Sequence, residues 1–319
     1  MISIVIPVYN EEENILPLHE RLLNVLNSLN EDYEIIYVDD GSKDNSLNIL
    51  KSLKGNVKVV ELARNYGQHA AIFAGFSVVS GDKVITMDAD LQNPPEEIPK
   101  LVEKFNEGYD VIATIRQQRK DSIFRKFSSH LNNYITKKIT KVDLNDWGCM
   151  LRGYRKKIVE RMLNNDEKTV FIPAIATYYT KNIVEIPIQH SQRQAGKSKY
   201  SLIKLVNLMF DLMTSFSNLP LEILLYGGIL TAAFGILLGI VLALGRIFYG
   251  VEWALGGVFS LFSVLFILIG AQFFAFGILG EYIGRIYKQV KNRPVFVIEN
   301  IYESKDDSLK KLKKTEENQ

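Results

Sequence analysis

Asp88 and Asp90, in the stretch "VITMDADLQNPPEE" (84–97), put two carboxylates one residue apart at the end of an apolar run. If that run is a strand, alternation turns both side chains to one face. Two like charges at the rim of an apolar core are costly unless something neutralises them. A divalent cation would do so. Hard Mg2+ or Mn2+ takes a few carboxylate oxygens and completes its shell with substrate phosphate. Gln92 projects to the same side and would add a further oxygen. The plainer reading is a solvated turn, since Asp is common before "NPP".

The company these aspartates keep favours the metal. Asn10–Glu11 close the run "ISIVIPVY" (2–9), Asp39–Asp40 close "YEIIYV", and Arg116 closes "YDVIATIR" (109–116). Strand-like runs at 2–9, 33–42, 57–63, 83–90 and 109–116 alternate with helical spacing in "ILPLHERLLNVLNSL", "SLNILKSL", "GQHAAIFAGFSVV" and "EEIPKLVEKFNEG". That alternation predicts an open, mostly parallel, Rossmann-like α/β sheet. Ligands of such sheets bind beyond the carboxyl ends of the strands, where these polar residues converge.

Of Asp39 and Asp40, one is expected to form the turn with "GS" and cap the next helix. The other would face the crevice, where a carboxylate accepts hydrogen bonds from a nucleobase or ribose. "PVYNEE" reads either as a helix start capped by Asn10 or as Tyr9 and Glu11 set against a base. There is no Walker lysine loop and no GxGxxG, which argues against an ATPase or dinucleotide enzyme. His69, His130 and His190 lack metal-ligand spacing.

The 319 residues carry a net charge of only +2, and no nucleic-acid partner is expected. The apolar residues, however, are unevenly spread. Residues 223–245 and 253–280 carry no charge, and each exceeds the roughly 20 residues that cross a bilayer as a helix. The expected organisation is a catalytic domain at 1–192, a juxtamembrane segment at 193–220, transmembrane helices at 221–246 and 253–280 joined by a turn at 247–252, and a tail at 281–319. Such a hairpin returns the chain to the side it left. Arg193, Lys197, Lys199 and Lys204 precede the first span, and Arg285, Lys288, Lys291 and Arg293 follow the second. Positive flanks belong inside, so the domain and tail are expected to be cytoplasmic, with Arg246 the exception.

Neither uncharged run holds an ionisable residue, which argues against a pore or carrier. "MISIVIPVYN" turns polar too early for a signal peptide, and the single Cys149 excludes an internal disulfide. Basic and apolar residues mix at helical spacing in 116–141 and 193–216, as in helices lying at a membrane interface. Arg193, Lys197, Ser198 and Lys199 form a cationic loop suited to phosphates. "GILLG" (235–239) fits the small-residue pattern of paired membrane helices. The last residues, "ESKDDSLKKLKKTEENQ", are charged and expected to be disordered.

In order, "SIVIPVYNEEENI", "VDDGSKDNS", "RNYGQHAAIFAGF", "DADLQNPPEEIP", "DWGCMLRGYRK" and "GKSKYS", followed by two apolar helices, resemble the family-2 polyprenyl-phosphate glycosyltransferases. These are GT-A relatives of dolichyl-phosphate mannose synthase, and the likeness covers residues 1 to about 298. The nearest branch transfers 4-deoxy-4-formamido-L-arabinose, or a related amino-sugar, to undecaprenyl phosphate for lipid A modification.

The resemblance implies a UDP-sugar donor, inversion, an inner-membrane location, a homo-oligomer (a tetramer), and Mg2+ or Mn2+ at Asp88 and Asp90 with Gln92 near. It implies nucleotide-sugar contacts at Pro7, Tyr9, Glu11, Asp39, Asp40, Arg64, Gln68, Asp88 and Ala89. It places phosphate or acceptor contacts at Arg116, Arg119, Arg152, Arg193, Ser198 and Lys199. Asp146 opens the family's acid-to-arginine motif and is expected at the reaction centre, as a base or as a group that orients the acceptor. Trp147 stands where near relatives often have Tyr, and Lys197 where many have an acid.

Three alternatives compete. A processive polysaccharide synthase would carry QxxRW and more spans, and Trp147 and Trp253 sit in no such motif. A glucosyl- or mannosyltransferase to the same lipid is the nearest competitor. A non-catalytic nucleotide-binding scaffold would have no need of the paired charge at Asp88 and Asp90.

Overall fold

The computed structural model describes residues 1–116, 144–164, 171–189, 219–250, 258–291, 294–305 and 308–312. The five expected strands are present as β1 (Ile2–Val8), β2 (Tyr33–Asp39), β3 (Val57–Leu62), β4 (Lys83–Thr86) and β5 (Val111–Arg116). Between them lie α1 (Ile15–Ser28), α2 (Ser46–Ser52), α3 (Gln68–Phe76) and α4 (Ile98–Asn106), the last entered through a 3-10 turn at Pro95–Glu97. β1 is buried along its length apart from Pro7, as its unbroken β-branched run requires of a strand covered on both faces. In α1 the buried positions are Ile15, Leu18, His19, Leu22 and Leu26, one stripe at helical spacing. Each large apolar side chain so buried contributes roughly 1.5–3 kcal/mol. His19 is structural: its Nδ1 faces the Tyr37 hydroxyl at 3.2 Å and its Nε2 the Lys54 carbonyl at 3.0 Å.

The sheet has nine strands in the order β7-β5-β6-β4-β1-β2-β3-β8-β9. β1 pairs in parallel with β2 and β4, and β2 with β3. Four strands were not anticipated. β6 (Arg152–Arg155) lies antiparallel between β4 and β5, and β7 (Ile183–Ile188) runs parallel beside β5. Since β6 opposes both neighbours, β5 points the same way as β4. The carboxyl ends of β1, β2, β4 and β5 therefore share one edge, as the alternation pattern predicted. α5 (Lys156–Leu163) and α6 (Ile172–Tyr179) follow β6.

The tail corrects the expected boundaries. β8 (Ile298–Lys305) pairs antiparallel with β3, and β9 (Ser308–Leu312) with β8, over residues expected to be disordered from 303 on. Without β8, β3 would present an open row of N–H and C=O groups. The side chains fix its register: Asn300 Nδ2 and Tyr302 Oη each donate to Glu61 Oε2 at 2.9 Å, and Lys51 lies over the Tyr302 ring. One compact unit is thus Met1–Ser201 with Pro294–Gln319, and a second is Leu202–Arg293.

The second unit contains α7 (Leu219–Tyr249) and α8 (Val258–Val290), within which Leu221–Tyr249 and Val264–Gly284 are long and apolar enough to span a bilayer. Neither segment is buried by protein, and Phe248, Phe266 and Phe273 are each more than two-thirds exposed. Apolar surface on that scale needs lipid around it. The chain leaves the sheet unit before α7 and rejoins it at β8.

α3 carries Ala70, Ala71, Ala74 and Gly75 and lies close on the sheet. A Cβ added at Gly75 would come within 2.3 Å of Val5 Cγ1 and 3.1 Å of Val38 Cγ2. Gly75→Ala should cost about 1–3 kcal/mol of stability by overpacking. Thermal unfolding followed by circular dichroism would measure it, and an unchanged midpoint would show that the helix can ride outward freely.

Candidate active site

At the β1 and β2 ends, side chains do the work that regular structure cannot. Asn10 takes φ 55°, a left-handed turn that Asn tolerates. Its Oδ1 accepts from Lys43 N at 2.8 Å, and its own N–H donates to Ser42 Oγ at 3.0 Å. Glu11 N donates to Ser46 Oγ at 2.9 Å, and the Glu11 carboxylate accepts from Asn14 Nδ2. The helix-start reading of "PVYNEE" is corrected: α1 begins at Ile15 behind Asn14, so Asn10 is a turn residue and not its cap; the backbone of the turn is tied down while Tyr9 stays exposed.

The two neighbouring aspartates do not divide as expected: neither caps α2, whose N-cap is Asn45, and the one that bonds within "DDGS" is Asp39. Asp40 binds a distant loop instead: its Oδ1 and Oδ2 accept from Tyr66 N at 2.7 Å and Gly67 N at 2.8 Å. It thereby holds the loop that carries Arg64, stacked over Tyr66, and Gln68. The close approach of that loop requires Gly41, which has φ +68° and where a Cβ would sit 2.8 Å from Arg64 C and Asn65 N. Asp39 is buried too. Its Oδ2 accepts from Ser42 N at 3.2 Å, but its Oδ1 has no partner among the described residues. Burial, and then the nearby Glu61 and Asp44, push the Asp39 carboxyl above the usual range. A buried acceptor left open at a sheet edge is fitted for a ligand N–H or O–H.

Asp88 and Asp90 are not on a strand, because β4 stops at Thr86. At its last residue, Thr86 Oγ1 donates to Met150 O at 2.7 Å. The aspartates lie on a tight turn in which Leu91 has φ +61° and Gln92 N donates to Asp90 Oδ1 at 3.1 Å. A buried leucine in that conformation costs on the order of 1–3 kcal/mol, the kind of strain found at functional sites. Gln68 Nε2 donates to Asp88 Oδ1. Burial pushes Asp88 up to about 7, with Asp90 and Glu11 adding to the shift against Arg116. The site is short of positive charge, as a cation-binding carboxylate pair would be. No group of three or more His, Cys, Asp and Glu among the described residues is placed to hold one ion. That donor set fits a hard dication bound by few protein oxygens and by phosphate.

On the other side of the edge, Arg116 grips Asp146 with both arms: Nε to Oδ2 at 2.7 Å and Nη2 to Oδ1 at 2.9 Å. Gly148 N also donates to Asp146 Oδ1 at 3.1 Å, and a Cβ at Gly148 would approach Arg116 Nη2 to 3.1 Å. Arg152, expected at a phosphate, is 1% exposed. Its Nη2 and Nε donate to the carbonyls of Asp146 at 2.6 Å and Cys149 at 2.8 Å, so here it clasps the loop from within.

Arg119, Arg193, Ser198 and Lys199, and the helices expected over 116–141 and 193–216, lie outside the described residues. His69, read as structural or peripheral, has a buried Nδ1 with no partner among the described residues, packs edge-on against Phe171 at 5.4 Å and is pushed down to about 4 by burial and by Arg152. The sequence reading passed over one residue that ties the site's loop in place. Glu185 on β7 accepts the backbone N–H groups of Asn145 and Asp146. Its only sequence signal is a lone acid inside "IVEIPI".

The family described as Glycosyl transferase family 2 matches residues 3–163. The undecaprenyl-phosphate 4-deoxy-4-formamido-L-arabinose transferase of Shewanella sediminis (strain HAW-EB3) is 51% identical over 304 residues, which are 94% of this chain and 92% of that protein. The protein of the same name from Klebsiella pneumoniae (strain 342) is 48% identical over 313 residues, 97% of this chain and 96% of that one. This chain is a family 2 glycosyltransferase.

The glycosyltransferase has the GT-A fold. Glucosyl-3-phosphoglycerate synthase from Mycobacterium tuberculosis, crystallised with Mn2+, uridine diphosphate and glucosyl-3-phosphoglycerate, aligns with a TM-score of 0.50 at 16% identity, over 67% of this chain and 78% of its own. Mannosyl-3-phosphoglycerate synthase from Rubrobacter xylanophilus aligns with a TM-score of 0.50 at 12% identity, over 67% and 72%.

Asp39 gives the glycosyltransferase a testable pH signature. Its folded-state carboxyl is raised, so the stability it contributes is present below the ordinary carboxylate range and is lost as pH rises through the raised value. At about pH 7 its buried charge is a net cost. Asp39→Asn keeps an acceptor for Ser42 N and should raise the thermal midpoint at about pH 7, with the gain vanishing near about pH 3. An equal gain at both pH values would remove the buried-charge explanation.

Proposed function

We propose that this enzyme transfers 4-deoxy-4-formamido-L-arabinose, or a related amino-sugar, from a UDP-linked donor to undecaprenyl phosphate, with inversion at the anomeric carbon. The observation that carries this reading is identity near one half with relatives of that name, running through both the sheet unit and the helical hairpin. Asp39, Pro7, Tyr9 and Glu11 hold the uridine, with the open Asp39 Oδ1 accepting a base or ribose hydrogen. Asp40 shapes the loop that brings Arg64 and Gln68 to the donor beside Ala89. Asp88 and Asp90, with Gln92 near, hold Mg2+ or Mn2+, which when bound offsets the negative charge that develops on the departing diphosphate.

The acceptor needs little activation. A phosphate monoester loses its second proton near pH 6 and is largely dianionic at neutral pH. One of its oxygens forms the new bond to the anomeric carbon, the bond from that carbon to UDP breaks, and UDP leaves with the electron pair. Asp146 has both oxygens engaged by Arg116, which favours an orienting role over proton removal. Arg116 then meets phosphate charge, and Arg119, Arg193, Ser198 and Lys199 hold the lipid phosphate. Arg152 supports that face from inside the loop. The sheet unit and both termini lie on the cytoplasmic side of a bacterial inner membrane, as the basic flanks imply, in a homo-oligomer, which the family resemblance gives as a tetramer. The product feeds lipid A modification.

Membranes containing the enzyme, given undecaprenyl phosphate and a panel of UDP-sugars, should yield a glycosylated lipid by mass spectrometry with the formamido-pentose donor and not with UDP-glucose. Preference for UDP-glucose would replace the amino-sugar assignment. Asp88→Asn and Asp90→Asn should each lower turnover by about 100-fold or more while membrane insertion is retained. UDP with Mn2+ should raise the thermal midpoint where GDP with Mn2+ does not, and equal protection by both would remove the uridine assignment.

A further inference from the structure

The segment 144–151 crosses the carboxyl end of β5 with β7 on one side and β6 on the other. Among the described residues it has no regular secondary structure, so its polar groups must be satisfied from outside. Thr86 and Thr114 hydroxyls take the carbonyls of Met150 and Leu151, each at 2.7 Å. Arg152 takes those of Asp146 and Cys149. At the opposite end the binding group is a carboxylate. Glu185 Oε1 accepts from Asn145 N at 2.9 Å and Asp146 N at 3.0 Å, and Oε2 from Asn145 Nδ2 at 2.7 Å. The peptide groups flanking the Asp146 Cα are thus held between a negative group on the N–H side and a positive one on the C=O side.

Every partner of Glu185 among the described residues is a donor. A carboxylate offers two acceptor oxygens to such a set, and an amide of the same shape offers one and turns an NH2 toward the rest. In register Glu185 lies beside Ala113 on β5, the strand that ends in Arg116. The line of contacts is short: the Glu185 carboxylate fixes the Asn145–Asp146 turn, the Asp146 carboxylate fixes both arms of Arg116, and Arg116 faces the acidic edge. A turn that needed only solvation would be served by water.

We propose that Glu185 is a positioning residue for the transfer reaction, acting through Asp146 to hold the Arg116 guanidinium at the reacting phosphates. This rests on the transfer reading above and adds a residue to it. Misplacement of a reacting partner by about 1 Å costs on the order of 100-fold in rate.

The test uses the full chain in detergent with undecaprenyl phosphate and UDP-4-deoxy-4-formamido-L-arabinose. Glu185→Gln should lower kcat by about 30- to 100-fold with the donor KM within about threefold of wild type, and Glu185→Asp should recover part of the loss. Arg116→Lys should cost far less in the Glu185→Gln background than in the wild type, because the two residues act in one line. Hydrogen exchange at the Asn145 and Asp146 amides, which needs no turnover, should quicken in the Gln variant. A kcat within about twofold of wild type, or additive losses with Arg116→Lys, would overturn the positioning role. Unchanged exchange would overturn the tether itself. Absence of transfer by the wild-type chain would instead count against the donor assignment, leaving the exchange result to judge the tether.

Discussion

Negative charge gathered at the carboxyl ends of parallel strands is the constraint around which this molecule is arranged. Asp88, Asp90, Glu11 and Asp39 all lie on or near that edge; burial, with repulsion from Asp90 and Glu11, lifts Asp88 to about 7, and burial, with Glu61 and Asp44, raises Asp39. Left alone, such a cluster would push its loops apart or fill with protons. The protein instead answers it in pieces. Gln68 donates to Asp88, the Gln92 amide to Asp90, and Arg116 brings the one described guanidinium whose field opposes the Asp88 shift. The residual negative charge suits a dication.

The loops that carry these groups are irregular, and side chains rather than ladders hold them. Asp40 takes the amides of Tyr66 and Gly67, Ser46 that of Glu11, and Asn10 that of Lys43. Strain is accepted at Leu91 and at no other described non-glycine residue except Asn10 and Asn30, for which it is mild. Rigid loops matter for a transferase because two anions must be held together against their repulsion. A guanidinium anchored at both arms, like that of Arg116, is preorganised for such a task.

The hairpin and the sheet are linked by topology. β8 joins the edge of β3 after α8, so the polypeptide that follows the second apolar helix is built into the same unit as the one that precedes the first. The strand also covers an edge that would otherwise invite association.

The sequence by itself determined the alternating strands and helices from β1 to β5, the edge at which acids gather, the two apolar helices and the family. These are local signals: β-branched runs, helical spacing, uncharged stretches and motifs in order. It did not determine what Asp39 and Asp40 would each bind, and the helix cap expected of one of them is made by neither. What Asp40 binds was decided by the loop after β3 coming within its reach, a contact across some 26 residues. Tertiary structure alone decided that β4 stops at Thr86, that Arg152 is buried, that β6 and β7 exist, and that the tail is a strand. "RGYR" has no alternation, and a charged tail has no drive to order until β3 offers it unpaired backbone. Glu185 was invisible for the same reason: one acid in a short apolar run acquires meaning only when a distant turn brings three donors to it.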